Sequence, residues 1–202
     1  MYQLKFLLFV VLALNLIAQE HYSMRLAYGK SSKSNLGDVL VGNIASDVAN
    51  LRVLSLDGGY LIKNDIFDSP IDFYFKSSLS YFNEAGVHDD IYELTLYLKL
   101  YYKFSLSNTK MRFGFGEGGS YTNNILLTEY AGAQAAGDNT SKYLNYLDIS
   151  LGVDLGSFFN SSIFKQAYMG LLIKHRSGIY GLINNVKHGG SNYNCIYIEK
   201  NF

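Results

Sequence analysis

Over residues 90–105, Tyr92, Leu94, Leu96, Leu98, Leu100, Tyr102 and Phe104 alternate with Glu93, Thr95, Lys99 and Lys103. A strand turns successive side chains to opposite faces, so this segment predicts a strand with one apolar and one charged face. The same period recurs along the chain. Around 22–29, Tyr22, Met24, Leu26 and Tyr28 oppose Ser23, Arg25 and Ala27. Around 51–61, Leu54 and Leu56 oppose Asp57, and around 70–82, Ile71, Phe73, Phe75 and Leu79 oppose Asp72, Lys76 and Ser78. Around 110–121, Met111, Phe113 and Phe115 oppose Arg112, Gly114, Gly116 and Gly118, and Glu117 falls on the apolar parity. Around 142–155, Leu147, Ile149, Leu151 and Val153 oppose Asp148, Ser150 and Asp154. Two more strands close the chain, the last carrying Ile196, Ile198 and Phe202 on one row. Residues 30–50 and 122–141 break the pattern and read as long loops. Eight such strands predict an all-β fold, an eight-stranded antiparallel transmembrane β-barrel. A barrel of eight strands is just wide enough for side chains to fill it. The mixed charges of the second face therefore predict a filled polar interior, not a pore.

The pattern alone also fits a soluble, lipocalin-like barrel with its apolar rows turned inward. Composition moves the balance towards the membrane. There are 18 Tyr and 13 Phe against one Pro and no Trp, which suits long uninterrupted strands ringed by interfacial aromatics. Residues 1–18 have a charged start at Lys5 and an apolar run over 6–17, as in a secretory signal peptide, leaving 19–202 as one barrel domain. The formal net charge of zero gives no electrostatic support for nucleic-acid binding. Cys195 has no partner cysteine and reads as a wall residue. His21, His88 and His188 lack ligand spacing, so neither a metal nor a cofactor is expected.

The seventh strand carries the candidate chemistry. Its apolar row, Ala167, Met169, Leu171 and Ile173, continues into His175 and Ser177. A base and a hydroxyl two residues apart thus share the lipid-facing side. Asn192 and Asn194 open the apolar row of strand eight, and Asn145 does the same on strand six. With both termini on the periplasmic side, strand seven ends at the exterior, so this polar patch falls at outer-leaflet depth. Polar groups towards lipid are costly away from the headgroups, so the patch reads as a headgroup contact or an ester-cleaving site. The cations Lys174, Arg176 and Lys187 nearby are candidates to attract lipid phosphates.

His175-Arg-Ser177-Gly-Ile-Tyr-Gly181, then Gly189-Gly-Ser-Asn192, then an aromatic terminal strand, resembles the end of the lipid A 3-O-deacylase (PagL-like) outer-membrane esterases. The resemblance is strongest over 166–202. It implies an outer-membrane esterase of a Gram-negative bacterium whose substrate is an acyl ester of lipid A in lipopolysaccharide. Ser177 would be the nucleophile and His175 the base. The family places a glutamate on the strand that follows, to orient the histidine; here that region holds no carboxylate. Asn192 could take the orienting role, and Glu117, two strands away, is the alternative acid. A non-catalytic barrel with a structural or adhesion role is the alternative function, and the oligomeric state is open.

Overall fold

In the computed structural model, residues 21–45 and 50–202 are described; the expected signal segment lies outside them. The chain forms eight strands: β1 (Tyr22–Ser32), β2 (Arg52–Lys63), β3 (Ile71–Asn83), β4 (Ile91–Leu106), β5 (Thr109–Thr122), β6 (Tyr143–Asp154), β7 (Ala167–Ser177) and β8 (Ser191–Asn201). Every strand pairs antiparallel with its sequence neighbours, and β1 pairs with β8, so the sheet closes without an edge. Connections alternate between a turn end, which also holds the C-terminus, and a loop end with segments 33–45 and 50–51, 84–90, 123–142 and 178–190.

The apolar rows point outward, which excludes the lipocalin arrangement. Leu54, Leu56, Leu94, Leu96, Leu98, Phe113, Phe115, Leu151, Leu171 and Ile196 are all exposed, while their strand neighbours Asp57, Thr95, Lys99, Arg112 and Ser150 are buried. A surface this apolar belongs against hydrocarbon, and tyrosines mark its margins at Tyr22, Tyr60, Tyr92, Tyr121 and Tyr143. Single cysteines at Leu96 or Leu151 in a Cys195→Ser background are therefore expected to react with a bilayer-soluble thiol probe, and cysteines at Thr95 or Ser150 to stay unlabelled. The opposite labelling pattern would turn the barrel inside out.

The interior is filled by paired charges. Arg25 bonds to Asp57 and Asp148, and Lys99 also bonds to Asp148. Lower in the barrel, Glu199 accepts from Lys76 at 2.6 Å and from Arg112 at 2.8 Å. Arg112 lies between the rings of Tyr101 and Tyr168, 4.1 and 3.6 Å from their centroids. Towards the loop end, Glu93 lies 3.3 Å from Lys174 and 3.5 Å from Arg176. Ions so far from water need partners of opposite sign and further hydrogen bonds, and here the tyrosines and serines supply the latter. Glycines make room for these long side chains: a Cβ at Gly114 would lie 2.7 Å from Lys99 Cε, and one at Gly116 2.9 Å from Lys99 Cδ.

Two loop regions hold more order than their composition suggests. β1 extends to Ser32, and a five-residue helix, α1 (Leu36–Leu40), follows with Asn35 capping the amide of Asp38 at 2.9 Å. The 123–142 connection contains α2 (Leu127–Ala136). Leu126, at its start, is fully buried and joins a cluster with Leu51, Val53, Phe82, Ile91 and Tyr193 that closes the loop end of the lumen. The closing residues come from five separate segments, so no local periodicity announces them.

Candidate active site

Strand register sets the site. His175 pairs with Leu147 on one side and Asn192 on the other, and Ser177 pairs with Asn145. Glu117 pairs with Leu147 from β5, and Ser32 with Asn192 from β1. One outward row therefore reads Glu117, Leu147, His175, Asn192, Ser32 across five strands, with Ser177 and Asn145 one step nearer the loop end. These residues line a cavity of about 1380 Å³, bordered by the α1 region, one face of α2 and the 178–190 loop. Asn194 lies one row below, in a smaller, mainly apolar groove of about 580 Å³ with Val39, Leu40, Ile149, Leu171, Ile173 and Ile196.

His175 Nδ1 lies 2.7 Å from Asn192 Oδ1. Asn192 Nδ2 in turn donates to the Ser34 carbonyl at 2.9 Å. That second bond fixes which end of the amide faces the ring. An amide oxygen only accepts, so Nδ1 carries the proton and Nε2 is left with its lone pair. The imidazole is thus held in the tautomer a general base requires, by an asparagine and not by a carboxylate. Glu117 does not take this role: Nδ1 is already occupied, and Leu147 stands between the two side chains in the row.

Ser177 shares the outward face with His175, at the usual separation of alternate strand residues, roughly 7 Å between Cα atoms. No hydrogen bond joins its hydroxyl to the ring among the described residues. Gly190 faces both groups: a Cβ there would lie 3.6 Å from His175 Cε1 and 3.6 Å from Ser177 Cβ, and 2.6 Å from the Arg176 carbonyl. A side chain at 190 would therefore crowd the dyad. Among the described residues, neither the Gly178 nor the Gly190 amide donates a backbone hydrogen bond outside the strand ladder.

Lys174 and Arg176 alternate with the dyad and so face the lumen, where they pair with Glu93 and, for Arg176, with Glu129 at 3.1 Å. They are not available to lipid phosphates; of the three cations read in that role, Lys187 alone lines the cavity, together with Lys33 and His188. The parity that placed His175 outward places its neighbours inward, so both cannot serve one ligand.

Glu129, which no strand pattern flags, ties α2 to the lumenal side of the same strand ends. Besides Arg176, it accepts from Ser191 Oγ at 2.8 Å, and Arg176 and Ser191 are the register pair directly behind His175 and Asn192. Asp138, beyond α2, accepts from the amide of Lys187 at 2.6 Å and from that of His188. Glu129 and Asp138 thus anchor the strand ends and the loop bordering the cavity. Burial pushes the Glu129 carboxyl up to about 7, against the pull of Arg176 and the Ser191 hydroxyl. A carboxyl raised in the fold binds its proton more tightly there than in the unfolded chain. Its contribution to stability is full below about 4.5 and is lost as pH rises through about 7. Glu129→Gln should flatten the fall in melting temperature of the folded barrel between about pH 5 and pH 8, measured by heat-modifiable migration; an unchanged slope would remove Glu129 as its source.

Compared with known proteins, the chain matches no protein-family model and no curated sequence. Its fold is similar to those of solved outer-membrane barrels, among them the following two. The outer membrane enzyme PagL superposes with a TM-score of 0.58 at 12% identity, over 89% of this chain and 99% of that one. Neisserial surface protein A (NspA) superposes with a TM-score of 0.50 at 11% identity, over 91% of this chain and 98% of that one. Both likenesses bear on the eight-stranded barrel.

Proposed function

We propose that this protein is an outer-membrane esterase that hydrolyses an acyl ester of lipid A, with Ser177 as nucleophile and His175 as general base. The observation that carries the reading is the Asn192–His175 contact, since an imidazole fixed with Nε2 unprotonated beside a hydroxyl, on the lipid-facing wall, has little use in a structural barrel. Polar wall residues could meet headgroups without being oriented. The loop end would face the exterior, so the cavity opens at the outer leaflet, where an ester of lipopolysaccharide can reach it.

In this mechanism His175 Nε2 takes the Ser177 proton as Oγ attacks the ester carbonyl. The Gly178 and Gly190 amides, on either side of the 178–190 loop, supply the donors for the oxyanion in this reading. Collapse returns the proton to the departing sugar hydroxyl and leaves an acyl-serine; water, activated by the same nitrogen, then frees the fatty acid and restores the enzyme. The imidazolium formed on the way is stabilised less by an amide oxygen than by a carboxylate, so turnover is expected to be slow. The similarity in fold to NspA supports a second reading, a non-catalytic barrel with a structural or adhesion role.

Purified protein incubated with lipopolysaccharide, followed by mass spectrometry of lipid A, separates the two. Loss of one acyl chain is expected; intact lipid A under all conditions would favour the structural barrel. Asn192→Ala should slow the reaction by roughly ten- to a hundredfold, the scale of a lost orienting hydrogen bond. Asn192→Glu should raise the rate by supplying a charge opposite the imidazolium. An unaltered rate in both variants would exclude an orienting role for Asn192.

A further inference from the structure

Glu117 is an exposed carboxylate on the lipid-facing row, flanked along its strand by Phe115 and across it by Leu98 and Leu147. No ion pair or hydrogen bond reaches it among the described residues, although the lumen pairs its own carboxylates with care. Ionisable groups turned towards a bilayer are costly and call for a partner. At the opposite margin of the same cavity stand Lys33, just beyond the register partner of Asn192 on β1, and Lys187, with His188 beside it. By strand spacing, Glu117 lies roughly 10 Å from the His175 row position on one side, and the β1 margin roughly 10 Å on the other. The cavity is therefore polarised: Glu117 lines it at β5, and Lys33 at β1 and Lys187 in the 178–190 loop line it beyond the His175–Ser177 pair, with Asp138 held on the Lys187 and His188 amides outside the lining.

We infer that Glu117 is a specificity-determining residue that binds the cationic end of an extended lipid headgroup, while Lys33 and Lys187 take an anionic end. The ligand class is an acylated saccharide of about disaccharide length with a phosphate at one end and an ammonium-bearing group at the other. A headgroup with free phosphates at both ends would place one of them against Glu117, where like charges repel. A simple phosphoethanolamine headgroup holds its two charges too close together to span the cavity. The inference rests on the esterase reading for where the ester sits, but the binding it describes does not require turnover.

The test uses Ser177→Ala protein in proteoliposomes, so that bound lipid is not consumed. Two lipid A probes are compared, one with both phosphates free and one with a single phosphate capped by an aminoalkyl group. The capped lipid should bind roughly two- to fivefold tighter, the scale of one favourable partly exposed charge contact. Adding Glu117→Gln should bring the two affinities together, and Glu117→Lys should reverse their order. Equal binding of both lipids with Glu117 intact, or a preference that survives Glu117→Gln, would overturn the inference. So would competition by phosphatidylethanolamine vesicles as strong as by the capped lipid. In wild-type protein the same preference should appear in KM more than in kcat. Absent deacylation of either probe would count against the esterase reading alone, because the affinities are read separately.

Discussion

Under the proposed mechanism, Ser177→Ala is expected to reduce lipid A deacylation by about a thousandfold or more, because it deletes the atom that would form the acyl-enzyme. The barrel should be unaffected. Ser177 is partly exposed at the end of β7, and its hydroxyl forms no hydrogen bond to another described residue. His175→Asn should be nearly as damaging, since a serine without its base attacks an ester only weakly. The double variant should be scarcely worse than either single one, because the two groups act as a unit. Rates would be read by mass spectrometry of released acyl chains, and folding by heat-modifiable migration. Wild-type turnover from folded Ser177→Ala would end the serine mechanism. Simple additivity of the two losses would show that the pair does not act together.

Asp148→Asn is expected to cost the fold about 3–5 kcal/mol, the range for removing one member of a buried ion cluster. Asp148 receives both Arg25 and Lys99, and the Tyr146 hydroxyl donates to it at 3.3 Å. An asparagine keeps the shape but withdraws the charge, leaving Arg25 with Asp57 and Lys99 with no ion-pair partner among the described residues. Arg25 retains the Tyr97 hydroxyl at 2.9 Å and Lys99 the Ser150 hydroxyl at 2.9 Å, yet neither neutral group balances a cation. The melting transition of the folded barrel should fall sharply, and the change should exceed that of Glu117→Gln, whose carboxylate meets the surroundings outside the barrel. Equal melting of Asp148→Asn and wild type would mean that the lumen is wetter, and its charges better screened, than the packing implies.

The strands were legible because each must satisfy two solvents at once. Lipid on one face and a narrow charged lumen on the other leave little freedom at any position of β4 or β7, so alternation survives along their full length. The same alternation placed His175 and Ser177 outward and Asp57, Lys99 and Asp148 inward. It also puts Lys174 and Arg176 on the inward face, where they pair with Glu93, and that placement rules out their second reading as phosphate ligands. The helices α1 and α2 were not legible. Five and ten residues long, they are held by an Asn35 cap, by the burial of Val39 and Leu126, and by contacts such as Leu127 N with Glu84 Oε2 at 2.7 Å. None of these leaves a periodic trace.

The sequence by itself determined that this chain alternates into eight strands, which faces those strands present, and that a base and a hydroxyl break the apolar row at one end of β7. These are properties of single segments, fixed by the two-residue period of extended backbone. Only the tertiary structure decided which groups meet. The register of β7 against β8 brought Asn192 to Nδ1 of His175, and Ser34 from beyond β1 turned its amide oxygen towards the ring. Register also set Leu147 between His175 and Glu117, separating the two candidate orienting groups into Asn192, which touches the imidazole, and Glu117, which lines the cavity two strands away. A pairing slipped by two residues would preserve every face and lose this contact, since alternation fixes the side on which a residue lies and leaves its neighbours to the closure of the whole sheet.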